Sequence, residues 1–245
     1  ILVKLLDTSL GIGDGLSMGR EGPSVQIGAM TGQGLGHALN NTHLEKRALI
    51  SSGAGAGLAA AFNAPMAGVM FTMEAIHKNL SAIVMAPTLM ACMTTTVLVH
   101  WVFGVETVLT IPKMPILPVE LLPQVIGLGL VSGFIGVAFN KGSLSIGKFY
   151  SLPVFRKPWM KIAFPLLLTI PLTYLLPQIL GAGDNIIEAM VSLEGTFSLL
   201  LVILIGKFLF TILSTGSGAP GGSLHPMLVL GSLVGSLYGN WLVQL

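Results

Sequence analysis

Long runs of apolar and small residues, separated by short polar breaks, organise this chain from end to end. No Asp, Glu, Lys or Arg occurs from Gly22 to Leu44, Ala48 to Met73, Asn79 to Val105, Leu121 to Asn140, Ile162 to Gly183 or Phe208 to Leu245. A membrane-spanning helix needs roughly 20 predominantly apolar residues, and at least five of these runs reach that length. The pattern predicts an all-α, multi-pass integral membrane protein. A β-barrel would instead show segments of about ten alternating residues.

Glycine and proline punctuate the runs into elements. Ile1 to Leu6 reads as the tail of a helix that Gly11-Ile12-Gly13-Asp14-Gly15 brings to an end. The next helix is expected from about Pro23 to Leu39, with Pro23 in a first helical position and Gly28, Gly32 and Gly36 on one face. Leu44 to Ala61 carries Gly53 and Gly57 in the same relation, the small-xxx-small spacing that lets membrane helices approach backbone to backbone. Phe62-Asn63-Ala64-Pro65 breaks that helix, and the piece from Pro65 to about Ile76 is only roughly 17 Å long at 1.5 Å per residue. Helices this short are tolerated in a membrane where protein or a cavity covers their ends, and transporters use them to place helix termini at the midplane.

Further helices are expected at Ala82 to Phe103, Leu121 to Asn140, Trp159 to Leu176 and Thr196 to Leu213, with a last one starting near Pro226. A proline-spaced connection runs through Pro112, Pro115 and Pro118, and Gly181-Ala182-Gly183-Asp184-Asn185 turns into a short helix from Ile186 to Leu193. The whole of 1–245 is expected to form one transmembrane domain, with a boundary between two related halves near 104–120. Residue 1 is Ile, and Leu245 falls inside an apolar pattern, so the sequence reads as a fragment of something longer.

Composition sharpens this picture. Charged residues make up 9% of the 245 residues and hydrophobic ones 53%, against about 25% charged in soluble domains, and the mean hydropathy is +0.85. The net charge of +2 is too small to suggest nucleic acid as a partner. Lys141, Lys148, Arg156, Lys157 and Lys161 fall in one stretch without an acid, whereas Glu106, Lys113 and Glu120 net −1. By the positive-inside rule, 141–161 is a cytoplasmic loop of a plasma or inner membrane protein. Cys92, the single cysteine, lies in an apolar run and reads as a small buried residue.

Candidate chemistry centres on Glu21. It is the only acid between Gly15 and Leu44 and sits in Gly19-Arg20-Glu21-Gly22-Pro23. An ionisable group at membrane depth is costly and by default a functional-site hypothesis. At a helix start, unpaired N–H groups and the dipole favour negative charge, so this carboxylate is either a fixed part of an anion site or a competitor for it. The bland reading is a helix cap or a partner of Arg20. Glu74, followed by His77 and Lys78, is either an interfacial charge or a water-accessible proton acceptor. His225 has no nearby Cys, His or Asp with which to form a metal site. Met66, Met70 and Met73 read as helix packing.

Gly216-Ser217-Gly218-Ala219-Pro220-Gly221 spells a dinucleotide fingerprint, but it follows a helical run and lacks the acid that would hold a ribose. What survives is a loop whose N–H groups can approach an anion ahead of a helix. Gly19, Gly22, Ser24, Gly32 and Gly36 also match Gly218, Gly221, Ser223, Gly231 and Gly235 at a constant offset of 199, a faint internal repeat. There is no serine nucleophile elbow, metal-ligand set or P-loop, so the chain reads as a non-enzyme without a cofactor.

Three stretches taken together resemble the CLC chloride channels and proton-coupled chloride transporters: Gly19 to Pro23, Gly53-Ala54-Gly55-Ala56-Gly57-Leu58-Ala59-Ala60-Ala61-Phe62-Asn63-Ala64-Pro65-Met66-Ala67-Gly68, and Gly216 to Gly222. The resemblance implies a homodimer in the lipid bilayer with one anion pathway per subunit and an inverted-repeat architecture of tilted, partly re-entrant helices. It implies chloride as substrate, with protons as a possible second one, and no cofactor. Glu21 takes the role of the gate. Backbone N–H groups of Arg20, Glu21 and Gly22, and of Ser223, Leu224 and His225, would bind the anion. Gly19, Pro23, Gly218, Pro220, Gly221, Gly222 and Pro226 shape the turns.

Two departures stand out. Gly222-Ser223-Leu224-His225-Pro226 has Leu224 where the family has an aromatic residue. The antiporters' internal glutamate aligns with Ala75, while Glu74 is one residue and so about 100° of helix away. Channel and anion/proton antiporter therefore both stay open, as do a non-conducting membrane sensor or assembly protein and a transporter of another anion such as fluoride, although fluoride members usually vary the gate motif.

Overall fold

The structure, a computed structural model, describes residues 1–104, 118–183, 186–187 and 196–243, all helix and turn apart from one isolated bridge. The expected half-boundary near 104–120, with Glu106 and Lys113, and most of the expected helix Ile186 to Leu193 lie outside the described residues. Nine α-helices are delimited among the described residues: α1 Leu2–Gly13, α2 Glu21–Ala38, α3 His43–Phe62, α4 Pro65–Phe71, α5 Ala82–Phe103, α6 Leu122–Phe149, α7 Pro158–Leu175, α8 Phe197–Gly216 and α9 Leu224–Val243. Four of the described helical stretches, Ala82–Phe103, Val119–Phe149, Pro158–Leu175 and Phe197–Gly216, are long and apolar enough to cross a membrane. Trp101, Phe134 and Tyr174 are 84%, 78% and 86% exposed. In water such surfaces would aggregate; facing lipid they are at home, and the chain is an integral membrane protein.

The chain divides into two compact units. The first comprises 1–8 and 20–108, the second 9–19 and 109–245. In the first, α2 and α3 are pressed together through glycine. A Cβ on Gly28 would run into the carbonyl oxygen of Gly53, one on Gly32 into that of Leu49, and one on Gly57 into that of Ser24. With no side chains between them, the two backbones gain dispersion and weak Cα–H···O contacts. Helix α3 starts with a capping box: the Thr42 N–H donates to Glu45 Oε2 at 2.8 Å, and the Glu45 N–H donates to Thr42 Oγ1 at 3.4 Å. The Thr42 backbone bond holds the exposed Glu45 carboxyl below its ordinary value. Asn63 ends α3 in the left-handed region at φ 53°, and Pro65 opens α4 without a side-chain cap.

Helix α4 passes into a π-helical turn, Thr72–His77, so the single short helix expected from Pro65 to about Ile76 is an α-helix followed by a π-helix. Hydroxyls tie this region together: Ser52 Oγ lies 3.0 Å from Thr88 Oγ1, Thr72 donates to the Gly68 carbonyl at 2.9 Å, and His77 Nε2 lies 2.9 Å from Ser51 Oγ. Of the three methionines expected to pack, only Met73, on the π-helical turn, is buried; Met66 and Met70, on α4, are exposed.

In the second unit α6 extends to Phe149, nine residues past the expected end at Asn140. Lys141 and Lys148 therefore lie on its last turns, and the connection proper is 150–157 rather than 141–161. Long cationic side chains keep their heads in water while their stems follow the helix, so charge did not mark the helix end. Tyr150 closes this corner, donating its hydroxyl to the Leu213 carbonyl at 2.8 Å. Leu16, Met18, Ile179 and Phe210 form one core cluster, and Leu200, Ile203, Val229 and Leu233 belong to another.

Candidate functional site

The segment that leads into the Glu21 motif belongs to the second unit and is fixed there residue by residue. α1 ends with the Leu16 N–H bonded to the Gly11 carbonyl at 3.1 Å and the Gly15 N–H to the Ile12 carbonyl at 3.0 Å. That is the paired closure of a Schellman motif, with Gly15 at φ +90° as its left-handed residue. Leu16 and Met18 then point into the core, while Ser17 between them turns to α8: its Oγ lies 2.7 Å from Thr211 Oγ1, and its N–H donates to Ser214 Oγ at 3.3 Å.

Gly19 and Gly222 come next as a bonded pair. Each donates its N–H to the other's carbonyl at 2.8 Å, in antiparallel sense, the self-complementary exchange characteristic of such pairs. Gly221 packs on Met18, where a Cβ would overlap the thioether sulfur. The residues immediately before Arg20 and immediately before Ser223 are thus held by one backbone contact.

From that pair the two helices start alike. Arg20 is the N-cap of α2 and makes no side-chain capping bond; Glu21 and Gly22 follow, and Pro23 is the third helical residue. In α9 the Met227 N–H bonds to the Ser223 carbonyl at 3.0 Å, which makes Ser223 the N-cap, Leu224 and His225 the next two residues, and Pro226 the third. The first position expected for Pro23, and the start near Pro226, are both corrected by two residues. Proline at the third position still removes an N–H that no helical carbonyl would accept. The N–H groups left without an intrahelical acceptor are those of the N-cap and the two residues after it. In α2 these are Arg20, Glu21 and Gly22; in α9 they are Ser223, Leu224 and His225. Helix position thus gives both triplets the same standing.

It also corrects the repeat. Helix starts Glu21 and Leu224, and the bonded glycines, differ by 203 residues, whereas letter matching had suggested 199. At 203, Gly28, Gly32 and Gly36 fall on Gly231, Gly235 and Gly239. Glycine and serine recur too often for spacing alone to fix the register.

Glu21 is 4% exposed and His225 3% exposed, while Arg20 and Leu224 are exposed. The capping reading of Glu21 is displaced, since Arg20 holds the cap position. Ser217 organises the glycine loop: its hydroxyl donates to the Ser214 carbonyl at 2.6 Å and accepts from the Ala219 N–H at 3.2 Å, with Gly218 at φ +83°. The dinucleotide-like letters are therefore a helix end and its turn, with no strand ahead of them. Glu74 is exposed on the π-helical turn, as is Ala75. In the second unit a cavity of about 430 Å³ between α6 and α9 is lined by Asn140, Ser143, Ser223 and Met227 among others.

Sequence reasoning passed over Ser17, Thr211, Ser214 and Lys207. Lys207 is wholly buried in α8 and is the sole charged residue between Gly195 and Leu245. A lone cation in so apolar a run was the available signal.

Short and interrupted helices in a membrane chain are a feature shared with transport proteins. The chain belongs to the voltage gated chloride channel family, which matches it over residues 1–245. It is 32% identical over 246 residues to the H(+)/Cl(-) exchange transporter ClcA of Vibrio campbellii, covering 98% of this chain and 52% of that protein. It is 30% identical to a putative chloride channel protein, ClcB-like, of Ralstonia nicotianae, covering 98% of this chain and 56% of that one. The chain thus spans about half the length of these relatives.

Among solved structures it superposes on a slow cyanobacterial Cl-/H+ antiporter with a TM-score of 0.88 and 30% identity, over 99% of this chain and 57% of that one. A CLC-type fluoride/proton antiporter matches with a TM-score of 0.76 and 29% identity, over 92% and 57%. The fold class expected from the sequence, an all-α integral membrane protein of the CLC type, stands.

Proposed function

We propose that residues 1–245 are a transmembrane domain forming part of a pathway for chloride or a similar small anion, with Glu21 as its gate. The observation that carries this reading is a buried carboxylate in the first turn of α2, at a helix start whose dipole and N-terminal N–H groups suit an anion. An ionised Glu21 competes with the anion for those N–H groups. Protonation removes the competitor and lets the anion enter. The N–H groups of Arg20, Glu21 and Gly22, and of Ser223, Leu224 and His225, are the proposed anion contacts, and the glycine and proline turns of Gly19, Pro23, Gly218, Pro220, Gly221, Gly222 and Pro226 hold them in position.

The working protein is proposed to be a homodimer with 141–161 on the cytoplasmic side and without catalytic activity or cofactor. The names of the two relatives support both exchange with protons and channel-like conduction. Ala75 in place of an internal glutamate favours the channel; Glu74, exposed one residue earlier, is the proposed proton acceptor if exchange occurs.

The test is anion flux from liposomes containing the purified protein, followed against pH for wild type and Glu21→Gln. Glu21→Gln is expected to abolish the pH dependence; unchanged flux with unchanged pH dependence would rule out the gate. Proton movement driven uphill by a chloride gradient marks an exchanger, and its absence alongside chloride flux a channel. Anion binding without flux would mark a non-conducting protein. Flux of fluoride far above chloride would reassign the substrate.

A further inference from the structure

Helix α8 carries one fully buried polar stripe. Lys207, Thr211 and Ser214 are each fully buried, and their spacing of four and then three residues puts them on one helix face. A buried lysine in a membrane helix is costly and is expected to face the protein interior. Here its Nζ donates to the Ile179 carbonyl at 3.0 Å and the Gly181 carbonyl at 2.6 Å, with the Leu180 carbonyl at 3.5 Å. These contacts fix a turn in which Gly181 has φ +63°. The Gly181 N–H in turn donates to the Gly15 carbonyl at 2.9 Å.

One and two turns further along α8, Thr211 and Ser214 hold the hydroxyl and N–H of Ser17. The next alternate residue, Gly19, is held by Gly222. Every second residue of 15–19 is therefore tied by hydrogen bonds, and Leu16 and Met18 between them are locked by packing. Glu21 follows two residues after the last tie.

We propose that the stripe Lys207, Thr211 and Ser214 is a positioning rail for the gate, with Lys207 acting through the Gly181 turn to set where the 15–19 segment delivers Glu21. This rests on the reading of Glu21 as gate. It assigns to Lys207 no contact with the anion: the lysine is a positioning residue, and it works by fixing the 15–19 segment from which the chain runs directly into Glu21.

The test is a double-mutant comparison in the same liposome flux assay. Lys207→Met in the wild-type background is expected to raise flux at alkaline pH about tenfold, the scale for loss of buried charged hydrogen bonds, and so to flatten the pH profile. Thr211→Val, close in shape and lacking only the hydroxyl, should do the same to a smaller extent and covers the case in which Lys207→Met fails to fold. In the Glu21→Gln background neither change should alter flux further, because no competing charge is left to misplace. Arg20 and His225 are present in both backgrounds and cancel. Equal effects of Thr211→Val or Lys207→Met with and without the Glu21 carboxylate would overturn the rail while leaving the gate intact. No effect of Glu21→Gln alone would instead remove the gate itself.

Discussion

Helices α2 and α9 begin in the same way and end up in different company. Both leave the Gly19–Gly222 pair, both have proline at the third helical position, and both repeat glycine every fourth residue at matched positions. Yet Gly28 and Gly32 are pressed against the backbone of α3, whereas among the described residues no heavy atom lies within 4 Å of where a Cβ would stand on Gly231, Gly235 or Gly239. The start of a helix and its lateral packing are thus separate devices. The N-terminal triplet needs only a local turn and a proline; the glycine face does nothing until another backbone meets it.

The strongest way to break this comparison is to add methyl groups. Gly28→Ala and Gly32→Ala put a Cβ onto carbonyl oxygens of α3 and are expected to destabilise the first unit by about 2 to 3 kcal/mol, read as a lower thermal midpoint in detergent. Gly34→Ala, on the open side of the same helix, should be neutral or stabilise by up to about 1 kcal/mol through helix propensity. In the 245-residue chain Gly235→Ala should behave like Gly34→Ala. Damage on the scale of Gly28→Ala would show that another helix covers this face in the assembled protein.

A smaller effect sharpens the contrast between helix starts that are closed and those that are open. α3 is closed by Thr42 and Glu45, while the Arg20 cap of α2 makes no side-chain bond. Thr42→Ala is expected to cost about 1 kcal/mol without touching flux, since its N–H groups are spent on capping. The smallest effect is the pH response of that box. The folded Glu45 carboxyl lies below its ordinary 4.5, so its contribution is complete above that value and is lost as pH falls through the lowered folded value. The gap between wild type and Thr42→Ala should narrow on acidification; a gap that widened would place the box elsewhere.

Much of the fold was legible because local chemistry set it. Ala82–Phe103 was read to the residue, since a run of apolar residues ends at Gly104, and the break at Asn63 and Pro65 followed from a left-handed residue and a ring that favours a first turn. The end of α6 was not legible: Lys141 and Lys148 resemble a loop in composition, and only the structure shows them carried on a continuing helix. The offset of 203 was hidden for another reason. Equivalent glycines are indistinguishable by letter, and it is their helix positions, with the Gly19–Gly222 exchange, that fix which corresponds to which. At the site, Glu21 stood out as an acid where acids are costly. Ser17, Thr211 and Ser214 carry no such signal, because hydroxyls are cheap in any helix and acquire meaning only from the partner almost 200 residues away.

Residence in a membrane, the places where the helices break and a carboxylate at a helix start are all readable from the residues alone, since those outcomes depend on transfer from water, backbone φ and nearest neighbours. The three-dimensional arrangement settles that the two glycine motifs share one backbone pair, that Gly28 and Gly32 of α2 are compressed while Gly231, Gly235 and Gly239 meet nothing among the described residues, and that Lys207 is turned onto the Gly181 turn. These depend on which distant backbone supplies the acceptor or the contact, and a buried donor takes whichever carbonyl the fold brings to it.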